Sequence, residues 1–471
     1  MLDHPPKANI FEPSRRSPAL VSGDVASQSA TPPSEYSRGG TPPGHLWYNS
    51  AALTAVAPAQ EIDLRPVWQS ALLDSFLTIW IPRGLVRECA SGETTSSAVP
   101  MSAWPSVAWR IAKRESEGIV AHSVLCLTLC ILGSRTNDTV LVAEASRHYS
   151  HVLQHFQTQV SQLGRSAHAP DRDRHIASLV AAGFCCSQVE YILNSWTSGD
   201  QHLQGMESLL QAFGPSCLAN SDTRRIFFDH CLLWLSCSVV HRRPGIYSHW
   251  PFSNDDWTEI AAECRSAQQL VGTTARLPPL LQELDAMDRS HSAGDMLALF
   301  QRITSVIVDL LALDVQNKGA ESPRAFETLS KLMATTDTLL DPSVLSEVVI
   351  TGYSSAFLIH AAVAALRSAA LMRDRGGWLP ASELRLSELR DLCETQVAQL
   401  RALMSELADE KYGMITASPM LFFMDSAWIA YEALEEFNGR DLSDVRPWFC
   451  NFGDLVASTG YRPLRTSWLV A

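Results

Sequence analysis

No cysteine precedes Cys89 in this 471-residue chain, and no thirty-residue window holds more than three. A small module held together by six thiolates on shared zinc ions therefore has no place in it, since such a module replaces its missing core with metal. Charge is also sparse. Charged residues make up 18%, and the formal net charge is −13. That balance argues against a surface that coats nucleic acid or anionic membrane through bulk electrostatics. Residues 1–65 carry five basic and six acidic side chains. The adjacent basic pairs (Arg15-Arg16, Lys113-Arg114, Arg224-Arg225, Arg242-Arg243) are too short for a phosphate-binding stripe.

The N-terminus, MLDHPPKANIFEPSRRSP, has no apolar signal core. Long uninterrupted hydrophobic runs are lacking as well. The best, Ile119–Leu132 and Ala356–Met372, are short or broken by His122, His360 and Arg367, so the expectation is no membrane span. Eleven cysteines, an odd number, sit mostly in apolar runs, which fits buried thiols in a reducing intracellular compartment.

What is present is helical pattern. Residues 1–45 hold eight prolines with many serines and threonines, a composition that cannot bury enough apolar surface to fold, and read as a disordered tail. Beyond it, three-and-four spacing recurs. In Leu297–Leu313 the residues Leu299, Phe300, Ile303, Val306, Ile307, Leu310 and Leu311 make one buried face. Similar runs fall near 66–80, 106–132, 138–162, 173–195, 200–213, 222–239, 343–373, 382–408 and 418–437. Breaks are expected at Pro82-Arg83-Gly84, the loop 91–100, Gly214-Pro215 and Gly376-Gly377. Alternating β-branched runs are scarce. The expected architecture is all-α, an irregular multi-helix bundle or short solenoid. It divides into the tail at 1–45, an N-terminal half at 46–270 and a C-terminal half at 271–471, with the seam at Gly272–Pro279.

Candidate chemistry is thin. His148, His151 and His155 lie at i, i+3 and i+7 on one helix, a spacing open to metal, but helix packing is the favoured reading because no cysteine or carboxylate completes the set. Cys126 and Cys130 are one turn apart among leucines, where burial raises thiol pKa and suppresses reactivity. Cys185 and Cys186 face about 100° apart. Asp171, Asp173 and His175 suit a helix start better than an acid–base site. No G-x-S-x-G elbow, phosphate loop or H-E-x-x-H helix occurs, so no catalytic, cofactor or metal site is assigned. Arg242 and Arg243, with His241 and near Trp250, are weak candidates for the mouth of an effector pocket, set against a solvated turn before Pro244.

Four segments together resemble the fungal-specific transcription factor domain, the regulatory region of fungal zinc-cluster regulators. They are Ala71–Gly84 (ALLDSFLTIWIPRG), and Leu127–Val160, whose second helix is similar to the cadence ALxxYxxALxxLxxxL. The third is Trp196, His202, Gly205, Leu209, Leu210, Gly214 and Pro215, and the fourth is Arg224–Phe228 followed by HRRPGIYSHW at 241–250. The likeness spans roughly 66–450. It implies a non-enzymatic nuclear regulator of a metabolic or secondary-metabolite gene set, working as a homodimer or with other transcription factors and open to a small-molecule effector. The six-cysteine cluster itself is not found, so DNA contact is expected only indirectly or through a missing N-terminal module. The alternative is a helical enzyme, ligand-binding protein or scaffold of secondary metabolism.

Overall fold

The computed structural model describes residues 65–81, 103–163, 169–193, 196–249, 265–287, 291–318, 342–374, 382–408, 414–439, 441, 443 and 445–458. The tail at 1–45 and the breaks at Pro82-Arg83-Gly84, 91–100 and Gly376-Gly377 lie outside them. Every regular element among the described residues is helical. In chain order they are α1 Arg65–Trp80, α2 Ala103–Arg114, α3 Ile119–Thr136, α4 Thr139–Leu163, α5 Ala169–Leu193 and α6 Trp196–Phe213. A 3-10 turn at Pro215–Ala219 leads to α7 Ser221–Asp229, α8 Cys231–Val240 and the single turn α9 Ile246–His249. There follow α10 Arg265–Thr274, α11 Leu277–Ala286, α12 Ala293–Lys318, α13 Pro342–Asp374 and α14 Ser382–Leu407. A 3-10 turn at Met414–Thr416 precedes α15 Ala417–Asn438, and α16 Arg446–Ser458 closes the series. The fold is all-α and irregular.

Local chemistry sets the breaks. Asn137 ends α3 with φ of 54°, a left-handed conformation that asparagine tolerates better than most residues. Asp138 then caps α4, its Oδ1 accepting from the N–H of Val140 at 2.8 Å and of Leu141 at 3.3 Å. Asn220 caps α7 in the same way, accepting from Asp222 and Thr223 at 3.0 Å each. Gly214 takes φ of 73° where α6 stops before Pro215. Two expected runs are each divided. The pattern at 106–132 breaks at Glu115–Gly118, and that at 222–239 breaks at His230, whose φ of −100° and ψ of 6° separate α7 from α8. Apolar periodicity cannot register such short interruptions, because the buried face continues across them.

Helices apolar on all sides occupy the interior. In the N-terminal part α3 and α5 lie at the centre, with α1, α2, α4 and α6 around them. An aromatic chain runs through this core. Trp80 meets Trp104 at 5.0 Å, Trp104 meets His230 at 5.7 Å, and His230 lies 3.7 Å from Phe184. In the C-terminal part α13 packs against α12, α14 and α15. Tyr353, Phe357, Phe422 and Phe423 fill that junction, and Gly352 lets α13 approach Phe423, where a Cβ would sit 2.5 Å from the ring. The short α8, buried almost throughout, touches α10, α11, α13 and α15, and Gln188 on α5 accepts from Ser418 on α15 at 3.0 Å. The boundary at 270/271 falls within α10, and the contacts gather Asp63–Ala471 into one compact unit.

Among the described residues four helices are long and apolar enough to cross a membrane by length and composition: Ile119–Thr136, Arg172–Leu193, Ala293–Leu313 and Leu345–Asp374. The first and last extend the runs Ile119–Leu132 and Ala356–Met372, because His122, His360 and Arg367 do not interrupt the helices. Three are 72%, 94% and 89% buried inside the protein, so neighbouring helices account for their composition; the third in sequence is 39% buried.

Candidate functional site

Glu190 is the sole charged residue between Ile176 and Leu193, and it is buried at the end of α5 beside Tyr191. A carboxylate this deep requires partners. Tyr149 on α4 donates its hydroxyl to Glu190 and also meets His202 Nε2 at 2.8 Å, while His202 lies 3.8 Å from Glu190. Burial, then the bond to Glu190, pushes the Tyr149 phenol far above its ordinary range, so it stays protonated and remains a donor.

A second group repeats the tyrosine–carboxylate–histidine combination. Asp200 on α6 is 1% exposed. It accepts from Tyr191 at 2.9 Å and from the Cys237 thiol at 3.5 Å, and it pairs with His241 Nε2. Burial, then the Asp200 charge, raises the Cys237 thiol, which is therefore a hydrogen-bond donor and not a thiolate. The helices approach closely because residue 199 is glycine: a Cβ there would lie 2.0 Å from the Tyr191 ring. Gly183 on α5 does the same for Met206, at 2.4 Å.

The third carboxylate, Glu207 on α6, accepts from the backbone N–H of Ile246 and lies 3.6 Å from Arg243. Arg242 sits in the turn after α8 with φ of 50° and pairs with Asp285 of α11. Both arginines are half-buried and each lies against a carboxylate, while His241 in the same turn is exposed. Trp250, placed with them in the sequence reading, lies outside the described residues.

The chemistry of this junction is that of internal ties. Three buried acids on α5 and α6 each collect donors from other helices, and two imidazoles, His202 and His241, close the networks at the partly exposed edge. Cys237 donates to Asp200, and burial keeps that thiol protonated.

Elsewhere, His148, His151 and His155 do come together, with His122 of α3 joining them. Among the described residues no group of three histidines, cysteines or carboxylates is arranged to hold a metal ion. Cys126 donates to the Ala145 carbonyl at 3.2 Å, and burial pushes Cys130 and Cys186 up to about 12. Cys185 is buried beside them. Asp171, Asp173 and His175 fall in the first two turns of α5. Trp104, Trp234 and Trp428 are core residues and Trp109 is half-buried.

Sequence reasoning found His202, His241 and the arginines but passed over Glu190, Asp200 and Glu207. The available signal was a lone acid inside an apolar helix, which has to be paired if the helix is buried. No family model, no curated protein and no solved structure matches this chain.

Proposed function

We propose that this protein is a non-enzymatic transcriptional regulator of the fungal zinc-cluster kind, with the described helices as its effector body. In this reading it acts in the nucleus on a metabolic or secondary-metabolite gene set. It reaches DNA indirectly, through a homodimer, other transcription factors or a separate zinc-cluster module, and responds to a small-molecule effector.

One observation carries the reading. Segments in which the family resemblance resides, though far apart in the chain, touch one another. Tyr149 of the second segment meets His202 of the third, and Glu207, between His202 and Leu209 of the third, meets Arg243 of the fourth. The helix holding the first segment, α1, packs on α3, where the second begins. A shared sequence pattern whose members are far apart in the chain but bonded in space is what a common fold requires. Against catalysis stands the junction's own chemistry, in which the buried thiol and phenols are protonated donors to carboxylates.

The test is a deletion strain profiled genome-wide for transcripts. The expected result is a coherent gene set that changes and is restored by the full chain. An unchanged transcriptome, together with turnover of a small molecule by the purified protein, would overturn the reading. Purified protein alone should bind DNA weakly, with affinity collapsing as salt rises, as its charge of −13 dictates.

A further inference from the structure

We propose that the seam between α3 and α4 is an acid-sensitive latch, in which protonation of a four-histidine ladder releases α4 while the rest of the bundle stays folded. The ladder is continuous. His148 and His122 face each other with Nδ1 atoms 3.1 Å apart, His122 lies 4.3 Å from His151 ring to ring, and His151 stacks on His155 at 4.3 Å. A bond between two imidazole nitrogens needs one of them free of a proton; an imidazolium has only donors. A second proton on that pair therefore removes the bond and sets like charges against each other at contact distance.

The surroundings give the rings little relief. The other charges acting on His122 and His148 are Glu117, in the turn before α3, and Glu144 and Arg147 on α4. Glu144 is shared, since it pairs with Arg147 at 2.5 Å and lies 3.9 Å from His148. Charged groups on the other neighbours are engaged elsewhere. Lys113 of α2 pairs with Asp74 of α1 at 2.9 Å, Arg110 of α2 with Asp222 of α7 at 3.0 Å, and Arg114 of α2 with Glu115. Glu190 of α5 is held by Tyr149 and His202. The α3 thiols Cys126 and Cys130 are held neutral by burial.

Burial, then the His151 and His148 charges, lowers His122 to about 4, and burial lowers His148 as well. A histidine depressed on folding contributes stability that is fully present above its ordinary pKa of about 6.5 and is lost as pH falls toward the folded value. The window is thus from about 6.5 down to about 4. Opening is local because α4 is peripheral: it packs chiefly on α3, less on α5, and much of its outer face is exposed. The inference does not depend on the regulator reading.

Hydrogen exchange on the full chain, at pH 7.5, 6.0, 5.0 and 4.5 with pulse times corrected for intrinsic rates, tests it. Peptides covering 139–163 should lose at least tenfold more protection below pH 6 than those within 345–372 and 417–434, which register only the general acid loss of the fold. The double variant His122→Gln, His151→Gln should shift that loss to lower pH. Equal loss in α4, α13 and α15, or a variant profile that overlays the parent's, would sink the proposal. If the variant does not fold, ring NMR titration of the parent decides. Histidine rings titrating together with α4 opening support the latch; opening that precedes or is independent of their titration overturns it.

Discussion

Tyr191 and Asp200, on successive helices, share a hydrogen bond of 2.9 Å in the interior, and Asp200 spends its remaining capacity on Cys237 and His241. Asp200→Ala strands three partners, two of them (Tyr191 and Cys237) buried, so a loss of about 2–4 kcal/mol is expected. Tyr191→Phe leaves the other partners in place and should cost about 1 kcal/mol. Urea unfolding of both variants measures the difference, and equal losses would mean that the carboxylate is not shared.

The glycines of α6 give a paired prediction. Gly199→Ala puts a methyl 2.0 Å from the Tyr191 ring, whereas at Gly205 nothing lies within 4 Å. The first substitution should destabilise by about 1–3 kcal/mol through overpacking. The second, on an exposed helical position, should stabilise by about 0.5–1 kcal/mol. Opposite shifts in thermal midpoint are the signature.

Acid sensitivity should reside partly in His230. It is fully buried against Phe184 and Trp104, its Nε2 lacks a partner, and burial lowers it to about 3. Its pKa falls on folding, so its contribution is present above about 6.5 and declines as pH drops toward 3. At roughly 1.4 kcal/mol per unit, the loss at pH 4.5 is about 3 kcal/mol. His230→Phe keeps a ring in the stack and should flatten the difference between urea midpoints at pH 7 and pH 4.5 by about that amount.

Thiol reactivity offers a check on the core. Cys126, Cys185, Cys186 and Cys237 are buried and their thiols are pushed up, while Cys450 is only half-buried. Iodoacetamide at pH 8, mapped by mass spectrometry, should label Cys450 in the native protein and leave the four untouched until denaturant is added. Rapid native labelling of Cys237 would contradict the donor role given to it.

Helix periodicity made most of this fold readable. The face from Leu299 to Leu310 is buried as its spacing required, and the run near 138–162 is realised as α4. What stayed hidden depends on pairing across the chain. Asp200 and Glu207 look like surface acids in a polar stretch, and only the approach of α8 and its turn makes them interior. The histidines at 148, 151 and 155 were visible on one helix, but His122, which turns them into a continuous set, comes from another. Single-helix spacing carries no information about what a neighbouring helix brings to the same point.

The ten residues of α8 reach helices on either side of the 250–264 segment. A chain cut within that segment would yield two polypeptides, each with a raw apolar surface that only the other can cover. Such halves, coexpressed, should be recovered as a stoichiometric pair and separately as insoluble material, which makes the position a natural place to divide the protein for a reassembly reporter.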